Sequence, residues 1–257
     1  ATRDMFIDAS TGKVVPERSR WGGLASGVPG EAAGFAKALS EFGTMKPAQV
    51  IAPALRLADR GFPAGRHLAR SAAMVVPKLA EPHPLRALLA PQGKVLTVGM
   101  TVRRPELAST LRMLSQAGFL AFYKTQPGAI GDDLLQANRS AGGLLQAEDL
   151  ASYKPVARTP MTGRFRSHQL FVIPPPSGGI TALEALQILN ARPALAQGPT
   201  ASATLHETIE ALKHAFADRA KLHGDPAFTN IPVEELASAA YASGRAATIQ
   251  PDRVLPP

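Results

Sequence analysis

Apolar residues recur every three or four positions through much of the chain, and this spacing predicts a succession of amphipathic helices. Gly43, Gly61 and Gly118 each follow an apolar run, where a glycine readily ends a helix. Residues 77–94 hold four prolines and a glycine and are predicted to form a loop. Helices are expected over about 31–42, 47–60, 67–76, 104–117 and 130–140, with a short turn or helix at 147–150.

The pattern changes after residue 155. Alternating and β-branched residues predict two strands, Ala157–Met161 and Phe165–Ile173, joined across Thr162-Gly163. A proline- and glycine-rich stretch, Pro174–Gly179, separates the second strand from the next apolar helix. A long helix then covers about 202–223.

The elements together predict an α+β fold that is largely helical, with a few strands late in the chain. We expect a single domain over residues 1–257, because no repeat or low-complexity block divides the sequence. The proline-rich residues 250–257 are predicted to be a linker.

Composition narrows the function classes. The hydrophobic share of 45% is enough for a packed core, and the absence of cysteine excludes disulfides and cysteine-based metal sites. The net charge of +8 raises the question of nucleic-acid binding, but the basic residues are scattered and no cluster is interleaved with aromatics. A generally basic surface is the favoured interpretation, with no nucleic-acid partner. No apolar stretch is long enough to span a membrane.

The long helix carries the first candidate for chemistry. His206, Glu210, His214 and Asp218 are spaced four apart, and histidine–carboxylate pairs at this spacing can ligate zinc. However, the HExxH register is absent, and an apolar stripe lies on the other side of the helix. The pattern is typical of an ordinary surface helix, so no metal or cofactor is predicted. The apolar stripe comprises Leu205, Ile209, Leu212 and Phe216.

The other candidates are loops. Ser177 stands between prolines and Gly178-Gly179 and is a candidate hydrolase nucleophile. However, the Gly-x-Ser-x-Gly elbow is absent and no histidine is placed to act as its base. A turn that packs against a partner is therefore favoured. The doublets Gly22-Gly23 and Gly142-Gly143 lack the context of a phosphate-binding loop. Asp225, before Pro226, is expected to form a turn that ends the long helix.

The order of several sequence blocks resembles the large subunit of the γ-glutamyltransferase family. Each block alone is weak, but together they follow the family's order over nearly the whole chain. The blocks are Ala1-Thr2-Arg3-Asp4-Met5-Phe6, Ala25-Ser26-Gly27-Val28-Pro29-Gly30, Phe42-Gly43-Thr44-Met45, Ile51-Ala52-Pro53-Ala54, Leu57-Ala58-Asp59-Arg60-Gly61-Phe62, Phe122-Tyr123-Lys124, Gly142-Gly143-Leu144, Glu148-Asp149-Leu150-Ala151-Ser152-Tyr153, Pro174 to Gly179, Ala215-Phe216-Ala217-Asp218-Arg219 and Gly224-Asp225-Pro226.

The resemblance implies a fold and a reaction. Members of the family are N-terminal-nucleophile hydrolases with an αββα sandwich, formed by a precursor that cuts itself into a large and a small subunit. The new N-terminal threonine of the small subunit attacks γ-glutamyl amides such as glutathione, with its own α-amine as base. The partners implied are therefore the small subunit and γ-glutamyl compounds, and the compartment implied is periplasmic or secreted.

The resemblance also places the reacting groups outside this chain. The family's arginine clamp for the substrate carboxylate lies upstream of Ala1, and Arg3 does not correspond to it. The family's threonine lies beyond Pro257, and the stretch from Ile249 to Pro257 resembles the linker just ahead of the processing point. No catalytic residue is thus expected here, although Ser177, Gly178 and Gly179 are expected to border the substrate pocket.

Alternatives remain open. The chain could be a non-catalytic helical fragment or a self-associating binding module. Within the enzyme class, relatives include cephalosporin acylases and poly-γ-glutamate-processing enzymes, and the residues of this chain do not separate them. The balance between hydrolysis and transpeptidation stays open as well.

Overall fold

The computed structural model describes residues 4–79, 81, 83–192 and 197–255. Within it the chain divides into two compact units, Ala1–Pro155 and Val156–Pro257. The single domain over 1–257 and the linker at 250–257 stay predictions. Arg3, with the first residues of the Ala1–Phe6 block, and the two final prolines lie outside the described residues.

The first unit is built mainly from helices, as the apolar periodicity predicts. Its two short strands, β1 (Phe62–Pro63) and β2 (Thr101–Val102), pair antiparallel. The helices are α1 (Glu31–Phe42), α2 (Pro47–Arg60), α3 (Arg66–Val75), α4 (Pro84–Leu89), α5 (Pro105–Ala117), α6 (Ile130–Ser140) and α7 (Ala147–Ser152), with 3-10 turns at Pro16–Ser19, Gly23–Ala25, Val76–Lys78, Pro91–Gly93 and Phe119–Tyr123.

The predicted loop at 77–94 is wrong in its centre, where α4 forms. Pro84 occupies the first helical turn, where the lack of an N–H costs nothing. The ring nitrogen Nδ1 of His83 caps that turn by accepting from the N–H of Leu85 at 3.2 Å. Arg86 then donates to the carbonyl oxygens of Val76 and Leu79, at 2.9 and 3.1 Å. Prolines that resemble breakers in the sequence therefore start a helix here.

The core of the first unit lies beneath α3, α4 and the short strand pair. α2 and α5 pack along each other beside it. Burial of these aliphatic side chains supplies the main stabilisation of the unit, at about 25 cal/mol per Å² of apolar surface. The buried members of the core are Ala64, Ala72, Val76, Leu89, Ala90, Leu96 and Val102.

The second unit combines a β-hairpin with helices. Strands β3 (Met161–Phe165) and β4 (His168–Val172) pair antiparallel, with Met161 opposite Val172 and Phe165 opposite His168. The helices are α8 (Gly179–Asn190), α9 (Ser202–Leu222), α10 (Val233–Leu236) and α11 (Ala239–Thr248). α8 packs against α9, α11 and β3, and is the central element of the unit.

The two strands were predicted with the wrong boundaries. The turn lies at Arg166-Ser167, with Arg166 in the left-handed region at φ 54°, and not at Thr162-Gly163. Gly163 lies inside β3, at the point where α8 approaches the strand closely. A Cβ atom at Gly163 would stand 2.3 Å from Cδ1 of Leu183. The sequence suggests a turn at this glycine, but Gly163 instead provides the space in which the helix packs against the strand.

The orientation of α9 is opposite to that of the predicted surface helix. Glu210 is fully buried and Asp218 is 5% exposed, whereas Ile209 and Phe216 are both 56% exposed. The polar residues face the inside of the unit, where cations and backbone groups pair with them, and the apolar stripe Leu205, Ile209, Leu212 and Phe216 faces outward. We call these four residues the α9 stripe.

Over the described ranges, no helix is both long and apolar enough to cross a membrane.

Candidate functional site

The loop Pro174–Gly179 connects β4 to α8. The peptide bond between Pro175 and Pro176 is cis, and the N–H of Ser177 donates to the carbonyl of Pro174 at 3.2 Å. Pro175 is buried, whereas Ser177 is exposed. Pro175 therefore anchors the loop, and the serine is presented at the surface.

Two glycines carry the loop into α8. A Cβ atom at Gly179 would lie 2.1 Å from the carbonyl oxygen of Ile173, so only glycine allows this approach of backbone to backbone. A Cβ atom at Gly178 would lie 3.4 Å from Nη1 of Arg219. The guanidinium of Arg219, stacked on Phe216 at 5.8 Å, is thus held beside the first turn of the helix.

A groove of about 490 Å³ opens beside the same loop. On the far side of the groove, Asp225 forms the predicted turn: its Oδ1 accepts from the N–H of Ala227, and its carbonyl accepts from Phe228 and Thr229, all at 2.9 Å. The groove is lined by Arg158, Pro174, Pro175, Pro226, Phe228, Thr229, Asn230, Ile231 and Val233.

These features define the chemistry that the loop can support. The first turn of a helix presents backbone N–H groups without helical acceptors and carries partial positive charge. Arg219 adds a full positive charge next to Gly178. The loop can therefore attract an anionic group, but Ser177 has no histidine or other hydrogen-bonded base in the structure as described.

A buried ion network lies between α8, α9 and α11. Nη2 of Arg245 donates to both carboxylate oxygens of Asp218, at 2.7 and 3.0 Å, and the hydroxyl of Tyr241 donates to the same carboxylate at 2.8 Å. Arg245 also lies over the Tyr241 ring, 5.0 Å from its centroid. Because a buried charge is tolerated only when it is paired, these contacts allow Asp218 to face the core.

Glu184 of α8 adjoins this network. Its carboxyl group is fully buried, neither oxygen makes a hydrogen bond of normal geometry, and Asp218 is its charged neighbour. Burial, followed by the Asp218 carboxylate, raises the pKa of Glu184 to about 8, against the opposing effect of Arg245. Glu184 is therefore neutral in the folded protein at neutral pH.

We expect the protonation of Glu184 to make stability fall as the pH rises. In the unfolded chain this carboxyl ionises near pH 4.5, whereas in the folded chain it keeps its proton until about pH 8. Its contribution is thus complete below pH 4.5 and is lost between these values. Glu184→Gln keeps a neutral group, and urea unfolding should show its stability gaining on wild type by about 4 kcal/mol between pH 4.5 and 8.

The exposed Glu234 of α10 provides the control for this experiment. Glu234→Gln makes the same chemical change in the same unit, and it should not reproduce the gain of Glu184→Gln, because the side chain of Glu234 is exposed to water. If Glu184→Gln also ran parallel to wild type from pH 4.5 to pH 8, Glu184 would be ionised in the fold and the assignment would be wrong.

The four polar residues of the predicted stripe do not converge on one point. His206 Nε2 lies 2.7 Å from the carbonyl oxygen of Gln250, and His214 Nε2 lies 3.0 Å from Oγ1 of Thr248. Burial, then the charge of Arg245, lowers the pKa of His214. Among the side chains that the structure describes, no group of three or more histidines and carboxylates could hold a metal ion.

The glycine doublets meet in the first unit, in a role that sequence reasoning missed. The N–H of Gly23 donates to the carbonyl of Ala141 at 2.8 Å, and the side chain of Asn138 donates to the carbonyl of Gly23 at 3.0 Å. A Cβ atom at Gly23 would stand 2.3 Å from the backbone nitrogen of Gly143. The doublets thus allow two backbone segments to touch.

Three of the resemblance blocks also converge in the first unit. The Tyr123 hydroxyl donates to the carbonyl of Pro29 at 2.7 Å and accepts from the N–H of Ala33 at 3.1 Å. Its ring stacks on Tyr153 with centroids 5.7 Å apart, and a Cβ atom at Gly30 would collide with the Tyr153 hydroxyl. These three blocks therefore contact one another and have a structural role. Their shared order with the family is the sequence feature that could have indicated this.

Comparisons with known proteins agree with this architecture. The crystal structure of gamma-glutamyltranspeptidase from Helicobacter pylori matches with a TM-score of 0.89 and 33% identity, over 100% of this chain and 73% of that chain. The glutathione hydrolase proenzyme of Escherichia coli (strain K12) is 37% identical over 100% of this chain and 44% of its own length. The Acylase ACY 1 proenzyme of Pseudomonas sp. (strain SE83) is 36% identical over 97% of this chain and 45% of its own length.

The fold is that of the large-subunit portion of an N-terminal-nucleophile hydrolase, which confirms the predicted class. The Gamma-glutamyltranspeptidase family model matches residues 1–257, and the chain belongs to this family. It spans less than half the length of the two curated relatives named above. The resemblance drawn from the order of the sequence blocks is thereby confirmed.

Proposed function

We propose that this chain is part of a γ-glutamyl hydrolase or transferase that cleaves γ-glutamyl amides such as glutathione. The nucleophile is the N-terminal threonine of a small subunit cut from the same precursor, and this chain alone is inactive. The observation that carries the proposal is the family match over residues 1–257 in a chain that spans 44% of a glutathione hydrolase proenzyme.

The α9 stripe supports a missing partner. Its four apolar side chains lie on one face of a 21-residue helix, and each is between 41% and 56% exposed. A contiguous apolar face of this kind is a common mark of a protein–protein contact. We assign it to the small subunit, which would remove the stripe from water.

The proposal is tested on the full-length gene product. Mass spectrometry of the purified protein should give two polypeptides, the second beginning with threonine, and the pair should release amine from a γ-glutamyl anilide. Residues 1–257 produced alone should give no turnover. A single uncut polypeptide, or turnover by residues 1–257 alone, would contradict the proposal.

Acylase activity is the second candidate, because the Pseudomonas relative named as an acylase is about as similar as the glutathione hydrolase of Escherichia coli. The processed protein should therefore be assayed against glutathione, a cephalosporin side-chain amide and poly-γ-glutamate. Preference for glutathione supports the proposal, and preference for the cephalosporin amide replaces it with the acylase.

A non-catalytic helical fragment or a self-associating binding module is the remaining alternative. Both predict no cleavage of the full-length product, and the binding module also predicts a dimer of residues 1–257 in light scattering. The same mass-spectrometric experiment therefore separates it from the enzyme. The family further suggests a periplasmic or secreted location, which fractionation of the native host would test.

Ser177, Gly178 and Gly179 are proposed to border the substrate pocket. Ser177 is exposed at the tip of its loop, so Ser177→Ala should leave folding unchanged. If its hydroxyl contacts substrate, KM for a γ-glutamyl anilide should rise about five- to tenfold, as expected for one lost hydrogen bond. Ser202→Ala, at the start of α9, is the control. Kinetics unchanged in Ser177→Ala would remove the serine from the pocket.

A further inference from the structure

Side chains of α9 form hydrogen bonds to Leu255, the last residue that the structure describes. Oε2 of Glu210 accepts from the backbone N–H of Leu255 at 3.1 Å, and Nζ of Lys213 donates to the backbone carbonyl of the same residue. Glu210 and Lys213 also pair with each other at 3.2 Å. Both polar backbone groups of Leu255 are thus bound by two side chains one turn apart, and we call this arrangement the Leu255 clamp.

The clamp sits in a protected position. The side chain of Glu210 is 1% exposed and that of Lys213 is 27% exposed. The Leu255 side chain packs against a cluster that includes Ile188 and Ile249. Burying a carboxylate is costly unless it is fully paired, and here its two oxygens are satisfied by Lys213 and by Leu255.

Residues near the end of a compact unit usually fray unless something ties them down. Two further contacts tie this segment, from His214 to Thr248 and from His206 to Gln250. The polar face of α9 therefore contacts this segment at Thr248, Gln250 and Leu255. Most of these contacts are to backbone atoms, so they fix the path of the segment with little regard to its sequence.

We propose that Glu210 and Lys213 are positioning residues for self-cleavage, because they fix the segment that leads to the processing point. This inference rests on the proposed function. Without the clamp, the last residue held by α9 would be Gln250 instead of Leu255, and the five residues from 251 to 255 would move freely. A reacting peptide on a longer, looser tether reaches its attack geometry less often.

The first test uses the full-length precursor with Glu210→Gln. Glutamine offers one acceptor oxygen where the clamp needs two, so its amide nitrogen would face another donor. The half-time of precursor cleavage, followed by gel electrophoresis after synthesis, should lengthen about tenfold, equivalent to about 1.4 kcal/mol. Glu207→Gln makes the same change one turn earlier, at a carboxylate bound to Arg192, and should cleave within twofold of wild type.

Leu255→Pro tests the other side of the clamp, and Leu255→Ala, which trims the same side chain from the Ile188 and Ile249 cluster but keeps its N–H, is the matched control. Proline has no N–H to donate to Glu210, so cleavage of Leu255→Pro should again slow about tenfold, whereas Leu255→Ala should cleave within twofold of wild type. Lys213→Met should slow cleavage likewise, and Lys213→Arg should restore most of the rate because it keeps a donor for the Leu255 carbonyl.

The outcomes separate the clamp from the proposed function. A wild-type precursor that never cleaves overturns both. A wild type that cleaves, with Leu255→Pro slowed less than threefold or Glu207→Gln slowed as much as Glu210→Gln, overturns the clamp alone. If Glu210→Gln fails to fold, Leu255→Pro and the Lys213 pair decide the question.

Discussion

Arg245→Met should lower the free energy of unfolding by about 3 kcal/mol. The substitution keeps an unbranched side chain but leaves the Asp218 carboxylate, 6% exposed, without its cation and next to Glu184. Tyr241 would remain as a hydrogen-bond donor, and the proton on Glu184 would limit the repulsion. The loss should therefore fall at the lower end of the range for a broken buried ion pair. Urea denaturation at pH 7 measures it.

The exposed ion pair of Arg112 with Asp59 provides the comparison. Both side chains are about half exposed, although their 2.7 Å distance equals that of the buried pair. Arg112→Met should cost less than about 1 kcal/mol, because water screens an exposed pair. Equal losses in the two variants would mean that burial of Asp218 does not govern its energy.

Gly23→Ala should destabilise the first unit by about 3 kcal/mol or more. The added Cβ would meet the backbone nitrogen of Gly143 at 2.3 Å and the carbonyl oxygen of Asn138 at 2.6 Å. Backbone atoms cannot move aside as a flexible side chain can, so the two segments must separate and break the bond from Gly23 to Ala141. Thermal unfolding and the yield of folded protein measure the effect.

Gly34→Ala is the matched substitution with the opposite expected sign. Gly34 lies within α1, and nothing stands within 4 Å of its Cβ position. Alanine there should raise stability by about 0.5–1 kcal/mol, because it restricts the unfolded chain and favours the helix. Gly23→Ala with near-wild-type stability would show that the two glycine segments do not touch.

Much of the secondary structure is predictable because local rules govern it. α1, α2, α5 and α6 start or stop within about one residue of the predicted limits, where proline, glycine and apolar periodicity agree. The hairpin boundaries are harder to predict. Gly163 is required because a Cβ atom there would collide with Leu183, a residue 20 positions away. Such long-range reasons leave no local signal.

The orientation of α9 illustrates a different limit. The pattern of polar and apolar residues predicts which residues share a face of the helix, but it does not determine which face is buried. Here Arg192, Lys213 and Arg245 pair with the carboxylates inside the unit, and two of these cations lie outside α9. Hydropathy alone assigns the wrong face, because pairing makes the polar face compatible with burial.

The candidate site is predictable only as a loop. The sequence predicts a turn at Ser177-Gly178-Gly179 that packs against a partner, and this stays a prediction. The close contacts of the two glycines in the structure are with Ile173 and Arg219 of the same unit. The buried carboxyl of Glu184 has no motif of its own. It becomes visible only when α8 and α9 are placed side by side, since its neighbour Asp218 is 34 residues away.

The paired charges on α9 also constrain how the sequence can diverge. Glu207 with Arg192, and Asp218 with Arg245, are each tolerated inside the unit because both members are present. Loss of one member strands a charge, whereas exchange of both for apolar residues of similar volume is close to neutral. Across homologous chains these positions should therefore change together, while residues of the outward stripe should vary one at a time among apolar types.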